Sequence, residues 1–262
     1  MKNFIYKNAL NTKEATKLFS KRSAFLAGGM TLLPAIKLRL AAYSDLINIK
    51  KIKSLAGIKV SNKSIKIGST TTHEAVASSK EIKKNIPSIG ILAEGIGDPQ
   101  VRNRGTIGGS IANNDPAADY PSACLALNAI IHTNKRKIAA DKFFKGMFET
   151  DLKKGELIES VEFEIPEKSS YAKFPNPASR YAIVGVYIAK LEKEIRVAVT
   201  GVESCVFRCK KIEKALTDNF SESAIDNINI SSNGFNSDIH ASAEYRAHII
   251  KVMAKKAISA CE

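Results

Sequence analysis

The chain has no tryptophan, only four cysteines and four histidines in 262 residues, and no apolar run near the eighteen residues that a membrane-spanning helix needs. Each scarcity closes off a chemistry. Cys124, Cys205, Cys209 and Cys261 contain no C-x-x-C pair, so an iron–sulfur cluster, which takes four well-placed thiolates, is not expected. If the segment from Cys205 to Cys209 is a strand, its two thiols share a face some 13 Å apart at about 3.3 Å per residue, beyond a disulfide or a shared metal. Buried thiols are the expectation. His73 opens a helix, His132 lies in a strand and His240 and His248 flank the last helix, with no i, i+4 pair beside a carboxylate, so no metal site is expected. Neither G-x-G-x-x-G nor G-x-x-x-x-G-K-[ST] is present, and no nucleophile elbow supports hydrolysis. Met1 to Tyr6 carries no apolar h-region, which predicts a cytoplasmic protein without a membrane span.

Charge is plentiful and of one sign, at +14. The excess is mostly lysine scattered along the chain, as at Lys50, Lys51, Lys53, Lys83, Lys84, Lys135, Lys137, Lys255 and Lys256, without interleaved stacking aromatics. Nucleic acid is therefore not an expected partner. A solvated basic surface, or a basic face that docks on an acidic subunit, accounts for it.

The length allows one large or two to three small domains. Asn11-x-x-Glu14 caps a first helix; strands are predicted at Ser23–Ala27 and Asp45–Ile49, closing a βαβ-like unit. Ile58–Val60 and Ser64–Ile67 alternate around Asn62-Lys63 as a hairpin. Then come Gly68–His73, an apolar helix around Ile86–Ile96, a glycine loop at Gly108-Gly109, a helix from about Asp119 to Leu127, and a half-buried strand over Leu157–Ile165. Pro166, Pro175 and Pro177 mark a change of pattern. Three β-rich stretches between Tyr181 and Phe207, a loop at 226–236 and a helix over Ser242–Cys261 with Tyr245, Ile249, Val252 and Met253 on one face complete a sheet backed by helices.

Two glycine pairs carry the chemistry. Gly28-Gly29 sits in a strand-to-helix turn, and Gly108-Gly109 follows Thr106 and precedes Ser110, with Asp115 and Asp119 beyond. Paired glycines permit positive φ and close backbone approach, so N–H groups can point at an anion. Alone, each pair is an ordinary tight turn. Together, beside hydroxyls and carboxylates, they suit a diphosphate that links two polyols.

Ala27-Gly28-Gly29 with Leu32-Leu33-Pro34, the run from Val101 to Asp119, Tyr171-Ala172-Lys173 with Ala178 to Ala182, and Asp238 to His248 follow one another in the order found in the FAD-binding medium subunit of molybdenum hydroxylases, the carbon monoxide dehydrogenase medium chain and xanthine dehydrogenase FAD-subunit family. The chain resembles that family over nearly its whole length. The resemblance implies an α+β, two-lobed FAD-binding fold of the PCMH type (vanillyl-alcohol-oxidase-like), followed by a small C-terminal antiparallel sheet with helices. It divides the chain into a first FAD-binding lobe over residues 1–56, a second over 57–166 and a C-terminal α+β domain over 167–262.

The resemblance also implies an oxidoreductase subunit that holds FAD through Leu26, Ala27, Gly28, Gly29, Met30, Thr31, Leu32 and Leu33 on one side and Thr106, Ile107, Gly108, Gly109 and Ser110 on the other. Asp119 matches an acceptor for ribityl hydroxyls, or else caps the helix at Tyr120-Pro121. Ile96 and Leu157 match positions packed against the cofactor, or else are plain core. Lys173 and Tyr181 match the flavin edge, where a free cation would raise the flavin potential; a solvated lysine and a packed tyrosine are the alternatives. The implied partners are an iron–sulfur small subunit and a molybdenum-cofactor large subunit, in a heterotrimer or a dimer of heterotrimers. Met30, Asn113-Asn114 and Tyr187 depart from the family pattern, and the cysteine-bearing insertion of some relatives is missing. A free-standing FAD-dependent reductase of the same superfamily is the alternative, for which no acid poised at a flavin stands out; a non-enzymatic basic binding module would leave the glycine pairs unexplained.

Overall fold

The computed structural model describes residues 2–261. Three sheets follow one another along the chain. The first is parallel, ordered β1-β3-β2, and consists of β1 (Ile5–Asn8), β2 (Ser23–Leu26) and β3 (Asp45–Asn48), with α1 (Thr12–Leu18) and α2 (Leu32–Lys37) as crossovers. The cap predicted for α1 is present: Asn11 accepts from the Glu14 amide while the Glu14 carboxylate takes the Leu10 amide. β1 is an element that the sequence pattern does not announce, because only four residues pair and their side chains are mostly exposed.

The second sheet is antiparallel, ordered β4-β5-β10-β6-β7, from β4 (Ile58–Val60), β5 (Ser64–Gly68), β6 (Ile130–Thr133), β7 (Lys137–Ala139) and, after the ribbon β8 (Phe144–Gly146) and β9 (Glu149–Thr150), β10 (Ile158–Glu164). Between β5 and β6 run α3 (His73–Ser78), α4 (Lys80–Asn85), α5 (Pro87–Glu94), α6 (Pro99–Arg104), α7 (Ile107–Asn113) and α8 (Tyr120–Ala126); the short α9 (Ala140–Phe143) follows β7. Gly108 and Gly109 therefore lie in the first turn of α7 rather than in a loop. The physical reason is Thr106, whose hydroxyl caps α7 by accepting from the Gly109 amide at 3.1 Å. Ile96 falls outside α5, past its Gly95 cap.

The third sheet, β11 (Lys168–Pro175), β12 (Ala182–Lys190), β13 (Ile195–Thr200) and β14 (Phe207–Arg208), is antiparallel in chain order, with α10 (Lys210–Asp218) and α11 (Ala243–Ser259) against it. β12 reads apolar without alternation because it is covered on both sides. One face joins Tyr187, Ala189, Leu191 and Ala198 to the core beneath the second sheet and its helices. The other packs Val184, Val186, Ile188, Val197 and Val199 against α10 and α11. The first sheet has a smaller core around Ile47, Ile49, Ile52 and Leu55.

Two expectations need correction here. The face that α11 buries carries Arg246, Ile249, Ile250, Met253, Ala254 and Ala257; Tyr245 is exposed and His248 lies within the helix. Cys205 and Cys209 do not share a strand, since Cys205 sits in the bend before β14 and Cys209 is the first flanking residue of α10. All four thiols are free, and only Cys124 and Cys209 are buried as expected; Cys205 and Cys261 are half-buried. No helix of the described residues is long and apolar enough to cross a membrane.

Candidate functional site

The two glycine pairs meet. Gly28, at the end of β2, lies so close to the turn between α6 and α7 that a Cβ on it would sit 2.2 Å from the Arg104 carbonyl oxygen and 2.8 Å from the Gly105 Cα. Gly108 is pressed likewise on the β5–α3 turn, where a Cβ would meet Ser69 at 2.5 Å. Of the four paired glycines only Gly29 has a positive φ, at +76°; Gly28, Gly108 and Gly109 serve close approach instead. Leu26 and Ala27 lead in from β2, half-buried, while Met30 and Thr31 face solvent before Leu32 and Leu33 begin α2.

The donors of the two sides differ. None of the N–H groups from Gly28 to Leu32 finds a protein acceptor among the described residues, so that row is free for an anion. On the other side the amides are spent: Ile107 donates to the Thr71 carbonyl, Gly108 to that of Ser69, Gly109 to the Thr106 hydroxyl and Ser110 to the Thr106 carbonyl. What this side offers is backbone stripped of side chain and a set of hydroxyls. Ser69 Oγ and Thr70 Oγ1 are buried without a hydrogen-bond partner, an unusual cost unless something else bonds to them. The neighbouring Thr71 and Thr72 hydroxyls are taken, by Gly57 and by the α3 cap. His73 opens α3 beneath Tyr120, with ring centroids 5.4 Å apart. Burial and the nearby Arg102 guanidinium hold the His73 imidazole at about 4, so it is neutral.

A second cluster gathers on the turn that precedes α6, a helix about 9 Å long at 1.5 Å per residue. Asp119 occupies the residue before α8 but makes no side-chain cap bond. Its carboxylate, 4% exposed, accepts from the Tyr171 hydroxyl and lies 3.1 Å from the Lys173 ammonium. Burial pushes this carboxyl up while Lys173 and Tyr171 pull it back. Lys173 is thus neither solvated nor a free cation: it also donates to the Gly95 carbonyl at 2.8 Å and that of Arg180 at 3.0 Å. Arg102 donates to the Ile96 and Gly97 carbonyls, and Arg180 to Gly97, so three cations hold the turn that carries Ile96. Tyr181 stands at this edge, partly exposed, its hydroxyl pushed up by burial and by Asp115 and Asp119. Leu157 is apart from these groups; it is 5% exposed and belongs to the core of the first sheet.

Residues 2–168 match the family model for the FAD binding domain in molybdopterin dehydrogenase, and residues 169–261 match that for the CO dehydrogenase flavoprotein C-terminal domain. The chain belongs to this flavoprotein family. It is 34% identical to the glyceraldehyde dehydrogenase medium chain of Sulfolobus acidocaldarius over 97% of this chain and 96% of the relative. To the carbon monoxide dehydrogenase medium chain of Hydrogenophaga pseudoflava it is 32% identical, over 90% and 88%. Among solved structures, reconstituted CO dehydrogenase from Oligotropha carboxidovorans superposes with a TM-score of 0.92 at 26% identity, covering 98% of this chain and 97% of that one. The cofactor of this FAD subunit fits the residues present: a row of unpaired amides, two orphan hydroxyls and a backbone approach that any Cβ would close.

Sequence reasoning passed over Ser69 and Thr70. The signal available was a run of four hydroxyls, Ser69 to Thr72, longer than one helix cap needs. It also passed over Arg102 and the hydroxyl of Tyr171, whose roles depend on contacts between segments about fifty or more residues apart or on the turn of one helix.

Proposed function

We propose that this chain is the electron-transfer subunit of a molybdenum hydroxylase complex, with its FAD taking electrons from iron–sulfur clusters of a small partner subunit, which are reduced in turn at a molybdenum centre in a large one. The supporting observation is the meeting of Gly28 with Arg104 and Gly105, which sets the free amides of Gly28 to Leu32 opposite the hydroxyl-lined start of α7. When bound, FAD supplies two-electron chemistry that can be divided into single-electron steps. The chain's own residues hold it. Gly28 to Leu32 donate to the diphosphate, Leu26, Ala27 and Leu33 wall it, and Thr106 to Ser110 with Ser69 and Thr70 close the opposite side. Asp119, Lys173, Tyr181 and Ile96 form the flavin edge, and Leu157 contributes support from the core.

The heterotrimer, or a dimer of heterotrimers, is the assembly this reading requires. The names of relatives as medium chains of dehydrogenases support it. Four free thiols are in keeping with a reducing, cytoplasmic setting. In this reading the lobes span 1–56, 57–166 and 167–262, a division supported by the separate sheet that each range holds. The test is co-expression of the tagged chain with the neighbouring reading frames. Co-purification of an iron–sulfur and a molybdenum subunit, with one releasable FAD per chain, is the expected result; a flavin-loaded chain that purifies alone and turns over a substrate would establish the free-standing reductase instead.

A further inference from the structure

Tyr171 reaches the same carboxylate as Lys173, and its bearing on electron transfer rests on the reading of that edge as the flavin's. The two residues are two apart on β11 and so share a face of the sheet, turned toward Asp119. Room for the phenol is made on β12. Gly185 pairs with Lys173 across the ladder, and a Cβ there would lie 2.4 Å from the Tyr171 hydroxyl oxygen and 2.9 Å from the Thr200 methyl. Glycine inside a strand weakens it, and marks a place where something must come close; here that is the hydroxyl. Thr200 holds the other flank, its Oγ1 lying 3.0 Å from the Pro116 carbonyl oxygen and 2.7 Å from that of Ala118, which fixes the segment leading into Asp119.

We propose that Tyr171 is a positioning residue: by donating to Asp119 it keeps that carboxylate charged against Lys173, so the pair presents no net charge to a flavin at the Gly95–Ile96 edge, and Lys173 acts there as a free cation only once Asp119 takes a proton from solvent. The groups facing Asp119 are Lys173 and Tyr171 on β11, Tyr120 on α8 and Tyr181 on the flanking turn, where Asp115 also acts on Tyr181. Tyr120, Tyr171 and Tyr181 are all pushed up by burial and by Asp119, which leaves Asp119 and the half-buried Asp115 as the acids that titrate here. Loss of a hydrogen bond to the charged form raises an acid's pKa.

The full chain tests this with and without FAD. In the flavin-free chain, the infrared carboxylic C=O band that Asp119→Asn removes should appear at higher pH in Tyr171→Phe than in the wild type. In the FAD-loaded chain, the inflection of midpoint potential against pH should move up by the same interval, and on its acid side Tyr171→Phe should meet the higher potential of Asp119→Asn. Gly185→Ala, which pushes the phenol aside without removing it, should shift both curves in the same direction. Coincident titrations of Tyr171→Phe and wild type would overturn the proposal, as would an infrared shift with no movement of the potential. A chain that takes up no FAD overturns the proposed function instead, and the infrared arm then decides by itself whether Tyr171 holds Asp119 charged.

Discussion

Two glycines of the cradle differ in what they can lose. A methyl on Gly28 meets backbone, the Arg104 carbonyl at 2.2 Å, which cannot rotate away. Gly28→Ala should cost about 1–3 kcal/mol as overpacking, read as a lower urea midpoint in the flavin-free chain. On Gly109 the methyl meets only the Thr106 hydroxyl, so Gly109→Ala should stay within about 1 kcal/mol of the wild type, the worth of the cap it perturbs. Lys173 carries a different liability. With side chains 10% and 4% exposed, it and Asp119 are a buried pair, and Lys173→Met strands the carboxylate. A loss of about 3–5 kcal/mol is expected, recovered in part by adding Asp119→Asn, measured by urea unfolding of the three variants. That outcome differs from the simple fall in flavin potential that removing a free lysine would produce. The lysine's position could be matched from its motif, but its charge state toward the cofactor could not, because Asp119 is fifty-four residues away in the chain. Local chemistry is legible in this way and distant partners are not.

Elements show the same division. The N-cap by Asn11 follows from residue type and spacing within four positions, whereas Thr106, just as local a cap, stands before a glycine pair that reads as a loop. The end of α7 does not follow from local spacing. Asn114 closes it at φ +44°, ψ +51°, donates to the Gly146 and Glu149 carbonyls at 2.8 Å each, and accepts from the Phe148 amide. One asparagine thus ends a helix and fastens the β8–β9 ribbon. Asn114→Ala should cost about 2–4 kcal/mol from two hydrogen bonds and a left-handed backbone. Asn114→Gly should restore the backbone share alone. Hydrogen exchange over residues 144–150 should quicken in both, and a ribbon equally protected in either variant would refute the fastening.

For the whole molecule, acidity should act through His73. Its folded pKa of about 4 lies below the ordinary 6.5, so the unfolded chain binds the proton first. Stability is then full above about pH 6.5 and falls as the pH drops toward 4, by about 3 kcal/mol from this group. Melting temperatures of the wild type should decline over that range, and His73→Asn should lack this part of the decline. The +14 charge acts at longer reach. Association with an acidic partner subunit should slow as salt is raised, seen as a falling on-rate with a nearly constant off-rate.

The core that runs from beneath the second sheet onto Tyr187, Ala189, Leu191 and Ala198 crosses the point, after residue 168, where one family model gives way to the next. Two families meet at that point, and the core runs across it. A gene truncated there would express a fragment with α8 bared, its packing on β12 and β13 replaced by water, and it should collect in inclusion bodies. Proteolysis should tell the same story, with cuts between residues 166 and 168 appearing only after the second and third sheets have melted together.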